Sequence, residues 1–166
     1  MALTPFHLGP DMTLHTSRLE LRPKTRADVE VMIQAMTPND RAQISPKWMA
    51  MFHASKTANP WIYGFTARLR DGNAIGMGGF AGPPEDGMVE IAYAVDEVHR
   101  GKGYATEIAQ ALVEYAFACD EVQVVRAHTL PDGAASKRVL AKCGIRYVGE
   151  INHPEDGLIW RFEKTR

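Results

Sequence analysis

Cysteine is scarce in this chain, and a long apolar run is missing from it. Cys119 and Cys143 are the only cysteines among 166 residues, and they form no CxxC pair. We therefore expect two buried free thiols rather than a disulfide framework or a cysteine metal site. No stretch approaches the roughly 18 apolar residues of a membrane-spanning helix, and the first residues show no charged segment followed by an apolar run. These absences predict a cytoplasmic protein without a membrane partner.

A charge bias is missing as well. The formal net charge is −1, with 23% charged residues, which argues against a broad electrostatic partner such as nucleic acid. The six histidines are scattered and no HExxH or Cys/His cluster occurs, so we expect no metal site. What the chain does have is 45% hydrophobic residues, enough for one domain with its own core. We expect a flexible arm over residues 1–12, which contain Pro5, Gly9 and Pro10, and a single domain over residues 13–166.

Apolar periodicity and turn signals divide the domain into strands and helices. Strands are predicted near Leu19–Leu21 and over Trp61–Leu69, Ala74–Phe80, Met88–Val95, Val122–Thr129, Ile145–Val148 and Leu158–Glu163. Helices are predicted after the cap signals Thr25 and Ser45-Pro46, from about Lys102 to Cys119, and over Ala134–Lys142. Pro38 and Asn39 are expected to end the first helix. The order β-α-α-β-β-β-α-β-α-β-β is typical of one layered α+β domain.

The segment Arg100-Gly101-Lys102-Gly103-Tyr104-Ala105-Thr106 follows a predicted strand and opens a predicted helix. Gly101 and Gly103 remove side chains where a ligand would approach the backbone. The helix presents unpaired N–H groups and the positive end of its dipole, which together form an anion site suited to a pyrophosphate. Arg100 and Lys102 add positive charge at the mouth of this loop.

Three kinds of phosphate-binding loop are possible interpretations of this segment. A Walker loop requires G-x-x-x-x-G-K-[ST], and Tyr104 follows Gly103 here, which disfavours it. A dinucleotide-binding loop requires G-x-G-x-x-G/A at the start of a βαβ unit. Thr106 occupies the last position, where this loop requires glycine or alanine. The preceding strand follows predicted hairpins rather than opening a βαβ unit, which also disfavours this loop. Two alternatives to the third kind of loop, which is described next, stay open. One is a nicotinamide-dependent enzyme, and the other is a glycine-rich helix start that binds no ligand.

The third kind is the Q/R-x-x-G-x-G/A signature, which Arg100-x-x-Gly103-x-Ala105 matches. On this signature the chain resembles the GCN5-related N-acetyltransferase (GNAT) superfamily. The strand Glu90–Val95 stands where the fourth strand of that family is expected, and residues 127–144 resemble its fifth strand and the helix that follows. Thr16–Pro23 resembles the start of the ribosomal-protein N-terminal (RimJ/RimL-like) branch. The resemblance spans roughly residues 13–164.

The resemblance implies a mixed, mostly antiparallel sheet of about seven strands, splayed between the fourth and fifth and flanked by about four helices. It also implies that acetyl-CoA is the co-substrate, with its pantetheine arm bonded to the fourth strand in the gap, as an added strand would be. The implied cofactor-binding positions are Tyr93, Ala94 and Val95 in the strand and Arg100, Gly101, Lys102, Gly103, Tyr104, Ala105 and Thr106 in the loop. Gly133 stands where many members carry an asparagine that contacts the pantetheine arm, so we expect one contact to be lost there.

The implied reaction is direct transfer of an acetyl group to a primary amine, which needs a base for the amine proton and an acid for the leaving thiolate. Ser136 occupies the helix position where the ribosomal-protein branch has a serine near the sulfur, and the alternative is a capping or packing serine. Glu90 is the candidate base, and the alternative is a solvent-facing carboxylate. Leu140 stands where another branch has a tyrosine acid, which excludes that acid. His128 is interpreted first as a core or strand histidine.

The acceptor amine is left open by the sequence. A protein N-terminus, an amino acid or another small amine all agree with the resemblance, because the fold does not determine the acceptor. A non-catalytic CoA-binding module of the same fold is the alternative function. A homodimer is the default expectation for an assembly.

Overall fold

One eight-stranded sheet organises residues 12–166, the part of the chain that the computed structural model describes. Its strands are β1 (Leu14–His15), β2 (Leu19–Pro23), β3 (Phe65–Leu69), β4 (Ala74–Phe80), β5 (Met88–Val95), β6 (Val124–Thr129), β7 (Arg146–His153) and β8 (Gly157–Thr165). The strand order is β1-β2-β3-β4-β5-β6-β8-β7. Every neighbouring pair is antiparallel except β5 and β6, which are parallel. The predicted fold class is confirmed, with slightly more strands than expected. The predicted N-terminal arm, apart from Met12, lies outside the described residues.

Helices flank this sheet on both faces. Within residues 12–166 they are α1 (Arg26–Ala35), α2 (Pro38–Ala42), α3 (Pro46–Ala54), α4 (Pro60–Tyr63), α5 (Tyr104–Ala118) and α6 (Ala134–Lys142), with a 3-10 turn at Glu97–His99. The short helices α2 and α4 account for the excess over the expected number. None of these helices has both the length and the apolar character needed to cross a membrane.

The predicted helix starts at Thr25 and Ser45 are confirmed by their capping bonds. The Thr25 hydroxyl accepts a hydrogen bond from the Asp28 N–H at 3.1 Å, and the Asp28 carboxylate accepts one from the Thr25 N–H at 2.8 Å. This reciprocal capping box satisfies two N–H groups at the start of α1. The Ser45 hydroxyl accepts from the Trp48 N–H at 3.4 Å, and Pro46 occupies the first helical position of α3.

The strand predicted over Trp61–Leu69 is wrong in its first half, because it begins only at Phe65. Pro60 starts the one-turn helix α4, and the Asn59 side chain caps it by accepting a hydrogen bond from the Trp61 N–H at 3.0 Å. A cap followed by proline favours a helical turn, and this local signal overrides the alternating pattern. Likewise Pro38 ends α1 but also begins α2, for which Thr37 is the cap.

The main core lies between α5 and one face of the sheet. On β5 the buried residues alternate, with Val89, Ile91 and Val95 at most 8% exposed, because successive strand residues point to opposite faces. They belong to the same core cluster as Ile108 and Leu112 of α5. A smaller cluster of Val29, Phe52, Ile62 and Tyr63 joins α1, α3 and α4.

Candidate active site

Strands β5 and β6 pair at one end only and then diverge. The parallel pairing joins Met88–Glu90 to Val124–Arg126 and stops there, whereas β5 stays paired with β4 as far as Val95. The remainder of β5 therefore borders a gap on its β6 side. This gap is the splay that the family resemblance implies between the fourth and fifth family strands, which are β5 and β6 here.

Backbone groups of β5 alternate between β4 and the gap. The Ala81 N–H donates to the Glu90 carbonyl at 2.9 Å, and the Asp96 N–H donates to the Ile75 carbonyl at 2.8 Å. At both ends of the β4–β5 pairing, the backbone N–H and C=O groups of even-numbered residues therefore point toward β4. Ala94, which is paired with Met77, belongs to this even-numbered set.

The odd-numbered residues present their N–H and C=O groups to the gap. Among the predicted strand contacts, Tyr93 and Val95 therefore face the gap through their backbones. The Val95 carbonyl accepts a hydrogen bond from the Arg100 Nε at 3.0 Å. Arg100 thus ties the glycine loop to the end of β5, and Tyr93 keeps both of its backbone groups directed into the gap.

The glycine loop has the backbone geometry of an anion cradle. Gly101 and Gly103 have φ angles of +75° and +83°, a left-handed conformation that side chains other than glycine adopt at a cost. Gly103 is the N-cap of α5, and no side chain caps this helix start. The first N–H groups of α5 are therefore available to an anionic ligand.

Arg18, from the turn between β1 and β2, fastens this loop. Its guanidinium donates to the Lys102 carbonyl at 2.9 Å, lies 4.4 Å from the Tyr104 ring centroid, and forms an ion pair with Glu107. The Thr16 hydroxyl donates to the same Glu107 carboxylate at 2.8 Å. We call this cluster of Thr16, Arg18, Lys102 and Glu107 the Arg18 clamp, to which Lys102 contributes its backbone carbonyl. The sequence had not indicated a role for Arg18 or Glu107.

Glu107 makes this clamp sensitive to acid. Burial acts to raise the pKa of its carboxyl, but the hydrogen bonds from Thr16 and Arg18 outweigh burial and hold the pKa below its usual range. A lowered folded-state pKa means that the charged carboxylate stabilises the fold above its ordinary pKa of about 4.3. This contribution is lost as the pH falls through the folded-state pKa.

Glu107→Gln is expected to lower the free energy of unfolding by about 1–2 kcal/mol at pH 7, because the charge-assisted hydrogen bonds are weakened. The difference from the wild type should shrink as the pH falls below about 4, where the wild-type carboxyl takes up its proton. Urea unfolding at pH 7 and at lower pH measures both effects. Glu114→Gln, at an exposed position of the same helix, is the matched control. A difference that stays constant with pH would contradict the role of the Glu107 charge.

A cleft of about 600 Å³ joins the loop to the gap. The predicted cofactor-binding residues that line it are Tyr93, Ala94, Val95, Arg100, Gly101, Gly103, Tyr104, Ala105 and Thr106. Ser136 lines it from α6, together with Arg138 and Lys142, two cations that the sequence had not singled out. Lys102 and Gly133 are not among its lining residues. At Gly133 a Cβ atom would lie 3.1 Å from the Leu130 carbonyl oxygen, which leaves little room for a larger side chain there.

Tyr93 and Ser136 both line this cleft. Burial raises the pKa of the Tyr93 phenol to about 12, and the nearby Ser136 hydroxyl acts in the opposite direction. The phenol is therefore protonated at neutral pH and held beside the serine hydroxyl. The sequence had indicated Tyr93 only for its backbone, so its side chain is an additional functional candidate.

Glu90 lies on the opposite face of the sheet, in a hydrogen-bonded chain with His128 and Arg161. The Arg161 Nε donates to His128 Nε2 at 3.1 Å, so Nε2 is the acceptor nitrogen of a neutral imidazole. The proton then resides on Nδ1, which lies 2.7 Å from Glu90 Oε1 and donates to it. His128 is thus a strand histidine of β6, as the sequence allowed, and its side chain is the partner of Glu90. Residues 12–166 contain no group of three acidic, histidine or cysteine side chains placed to hold a metal ion.

A second cavity, of about 300 Å³, opens on the Glu90 side of the sheet. It is lined mainly by apolar side chains of α1, α3, α4 and β4, and it shares Tyr93 and Ala94 with the 600 Å³ cleft. The two cavities therefore meet at the unpaired part of β5. We call the larger one the cofactor cleft and the smaller one the acceptor cavity.

Comparison with known proteins identifies the family. The model of the acetyltransferase (GNAT) domain matches residues 18–146. The uncharacterized N-acetyltransferase YjdG of Bacillus subtilis (strain 168) is 39% identical over 71 residues, and this match spans only 42% of the length of each chain. The uncharacterized N-acetyltransferase p20 of Bacillus licheniformis is 26% identical over 167 residues, which cover 93% of this chain and 89% of that protein.

Solved structures share the fold. The aminoglycoside acetyltransferase AAC(6')-Ib in complex with coenzyme A and kanamycin superposes with a TM-score of 0.65 at 22% identity, covering 89% of this chain and 95% of that chain. The ribosomal-protein acetyltransferase RimL in complex with coenzyme A superposes with a TM-score of 0.68 at 14% identity, covering 92% and 97%. At these identities the likeness establishes the fold alone. With the family model matching most of its length, the chain belongs to the GNAT acetyltransferase domain family, as its resemblance implied.

Proposed function

We propose that this chain transfers an acetyl group from acetyl-CoA to a primary amine. The observation that carries the proposal is the unpaired backbone edge of β5, which borders the cofactor cleft on one side of the sheet and the acceptor cavity on the other. A thioester bound in the cleft and an amine bound in the cavity would meet at this edge. The coenzyme A held by two solved structures of the same fold supports the same ligand here.

The cofactor cleft fits coenzyme A in its backbone and in its charge. The gap-facing N–H and C=O of Tyr93 can bond a pantetheine amide as a further strand would. The uncapped start of α5 and the two left-handed glycines suit the pyrophosphate. Arg138 and Lys142, on α6, add positive charge along the cleft. When bound, acetyl-CoA supplies an acetyl thioester, an activated acyl group.

Glu90 would take the proton of the acceptor amine. Its Oε1 is held by His128, whereas no hydrogen bond within residues 12–166 engages its Oε2. Glu90 lines the acceptor cavity, and its Oε2 would accept a proton as the amine nitrogen bonds to the acetyl carbon. A backbone N–H of β5 that faces the gap would stabilise the negative charge developing on the acetyl oxygen.

The Ser136 hydroxyl, which lies near the Tyr93 phenol, would return a proton to the departing thiolate. Both groups line the cofactor cleft, and the raised pKa of the phenol keeps a proton on Tyr93 at neutral pH. The pair therefore offers a proton donor on the cofactor side of the sheet, opposite the base on the acceptor side.

Ser136→Ala is expected to lower the turnover number by about tenfold or more while the acetyl-CoA dissociation constant changes less than about twofold. The reason is that the hydroxyl acts only as the thiolate leaves. Steady-state kinetics and calorimetric titration of acetyl-CoA separate the two effects. Tyr93→Phe should be less damaging than Ser136→Ala if the phenol acts through the serine. Unchanged turnover in Ser136→Ala would show that this serine only packs or caps.

The proposal as a whole is tested by binding and by activity. Calorimetric titration should show binding of acetyl-CoA, and incubation with a panel of primary amines should release coenzyme A. The panel contains N-terminal peptides, free amino acids, polyamines and aminoglycosides. Absence of acetyl-CoA binding would overturn the proposal. Binding without acetylation of any amine would indicate the alternative, a non-catalytic CoA-binding module.

A further inference from the structure

A buried cation in the wall of the acceptor cavity lacks an oxygen partner among residues 12–166. Lys24 lines this cavity and is 8% exposed. Its ammonium contacts two sulfur atoms, Met32 Sδ at 3.5 Å and Met77 Sδ at 3.8 Å. The Asp28 carboxylate favours the Lys24 charge from nearby, but it is bonded to the Thr25 N–H as part of the α1 cap. Sulfur is a weak acceptor, so the buried ammonium is left nearly unsatisfied.

The Tyr63 hydroxyl is a second buried polar group of this cavity wall that lacks a partner. Tyr63 lines the cavity, and its hydroxyl makes no hydrogen bond within the described part of the chain. Most other wall residues are apolar, with Tyr93 and Glu90 as the further polar ones. Burying polar groups without hydrogen bonds is unfavourable. A polar group of a bound ligand would reduce this cost.

Lys24 also joins the acceptor cavity to a third cavity on the same face of the sheet. This third cavity, of about 410 Å³, shares Lys24 and Met77 with the acceptor cavity. A row of paired residues runs across this face, from Arg22 of β2 through Thr66 of β3 and Met77 of β4 to Ala94 of β5. Paired residues of neighbouring strands present their side chains on one face. The two cavities therefore form one groove from the unpaired edge of β5 to β2, which we call the acceptor groove.

The other two cations of the acceptor groove already have oxygen partners. Arg22 and Arg68 line its β2 end. Arg22 is paired with Glu20 at 3.0 Å, and Arg68 donates to the Gly72 carbonyl at 2.9 Å. Lys24 is therefore the cation of this groove that is left to bind an anion.

The position of the Lys24 ammonium sets the size of a molecule that could reach both it and the site of transfer. Its contact with Met77 places the ammonium over β4, and Met77 is paired with Ala94 of β5. The gap side of β5 lies one and a half to two strand spacings from there, about 7–10 Å. The α-amine and α-carboxylate of a free amino acid are only about 2.5 Å apart, so such a molecule cannot occupy both places.

We propose that the acceptor is an elongated primary amine that carries an anionic group about 7–10 Å from its nitrogen. Lys24 binds the anion, the walls of the acceptor groove contact the body of the molecule, and the amine lies at the gap side of β5. A carboxylate on an alkyl chain and an acidic side chain near the start of a peptide both have this chemistry. This assignment rests on the proposed acetyl transfer. It explains why a lysine is buried where the protein offers it only sulfur.

The test varies the charge and the length of the acceptor separately. At each length an ω-amino acid is compared with its amide, which lacks the charge, and with the diamine, which reverses it. The acids are 4-aminobutanoate, 6-aminohexanoate and 8-aminooctanoate, which span about 5, 7 and 10 Å at about 1.2 Å per bond. Acetylation is measured as kcat/KM at saturating acetyl-CoA.

The two longer acids should be preferred over their amides by about 10- to 100-fold, the effect of one charge-assisted contact. The diamines should be poorer still, because Lys24 repels a second ammonium group. The shortest acid should show no preference over its amide. Lys24→Met should abolish the preference for the longer acids, and Lys56→Met, at an exposed position, should behave as the wild type.

A peptide pair identifies the source of the anion. Ala-Ala-Asp and Ala-Ala-Asn, both amidated at the C-terminus, differ only in the charge of the third side chain. A preference for the aspartyl peptide that is lost in Lys24→Met would support a peptide acceptor. A preference confined to the alkyl series would support a small molecule.

Either of two results would overturn the assignment: the wild type shows no preference for the anion in either series, or Lys24→Met keeps the preference. If Lys24→Met does not fold, the comparison within the wild type still decides. If no amine is acetylated, the proposed transfer fails separately. Calorimetric titration of 8-aminooctanoate into the protein with coenzyme A then tests the Lys24 site. Binding should be weaker for the amide and in Lys24→Met, and equal binding would overturn the assignment.

Discussion

Glu90→Gln is expected to lower the turnover number by about 10²- to 10³-fold, the range for removal of a general base. The amide keeps the size of the side chain and can still accept a hydrogen bond from His128 Nδ1, so the fold and the sheet register should be preserved. It cannot take up the amine proton. The acetyl-CoA dissociation constant should stay unchanged, because Glu90 does not line the cofactor cleft. Steady-state kinetics and calorimetric titration measure the two quantities.

The pH dependence separates a base from a merely structural carboxylate. With an α-amine as the acceptor, whose pKa is about 7.7–8.0, most of the acceptor is already deprotonated above about pH 9 and needs less help. The defect of Glu90→Gln should therefore shrink with rising pH. Glu114→Gln, on the exposed face of α5, is the control and should behave as the wild type. Equal activity of Glu90→Gln and wild type at pH 7 would falsify the role of Glu90.

Gly101→Ala is expected to weaken acetyl-CoA binding by about 10- to 100-fold. This is the effect of losing at least one charge-assisted hydrogen bond between a backbone N–H of the loop and the pyrophosphate. In the free protein the added Cβ would meet nothing within 4 Å. This open space belongs to the cofactor cleft, where we propose that the pyrophosphate approaches the backbone N–H groups. The left-handed φ of +75° adds strain of about 1–2 kcal/mol, which lowers the free energy of unfolding.

Gly72→Ala provides a matched control for that strain. Gly72 has a φ of +93° and open space around its Cβ position, and it lies in the hairpin between β3 and β4, away from the cleft. Both variants should lose similar thermal stability, but only Gly101→Ala should lose acetyl-CoA affinity. If the two variants bind acetyl-CoA equally well, the glycine loop is not the pyrophosphate site.

In the proposed function, the acceptor cavity provides the specificity that the fold leaves open. The RimL and AAC(6')-Ib structures share this fold, yet their names refer to a ribosomal protein and to an aminoglycoside. In this chain the acceptor cavity is lined by Lys24 and by residues of α1, α3, α4, β4 and β5. The charge and size of this cavity, rather than the sheet, are therefore the features on which the choice of acceptor would depend.

Local patterns in the sequence predicted most of the strands and helices and singled out the glycine loop. The bounds predicted for β4, β5 and α6 agree with the structure, because apolar periodicity, glycine and cap residues act over a few neighbouring residues. The glycine loop and the strand before it are contiguous, so their joint signature identified the family. The strand predicted at Trp61 was wrong although the Asn59-Pro60 cap signal was present in the sequence.

Only the tertiary structure decided which distant side chains meet. Glu90 contacts His128 across 38 positions of sequence, and Arg18 contacts Glu107 across 89. These pairs depend on the register of strands that are far apart in the chain, and a shift of one residue would turn every side chain to the other face. The burial of Lys24 likewise follows from α1 and β4 packing around it. Periodicity reports which face of an element is apolar, but the partner of that face is determined by packing.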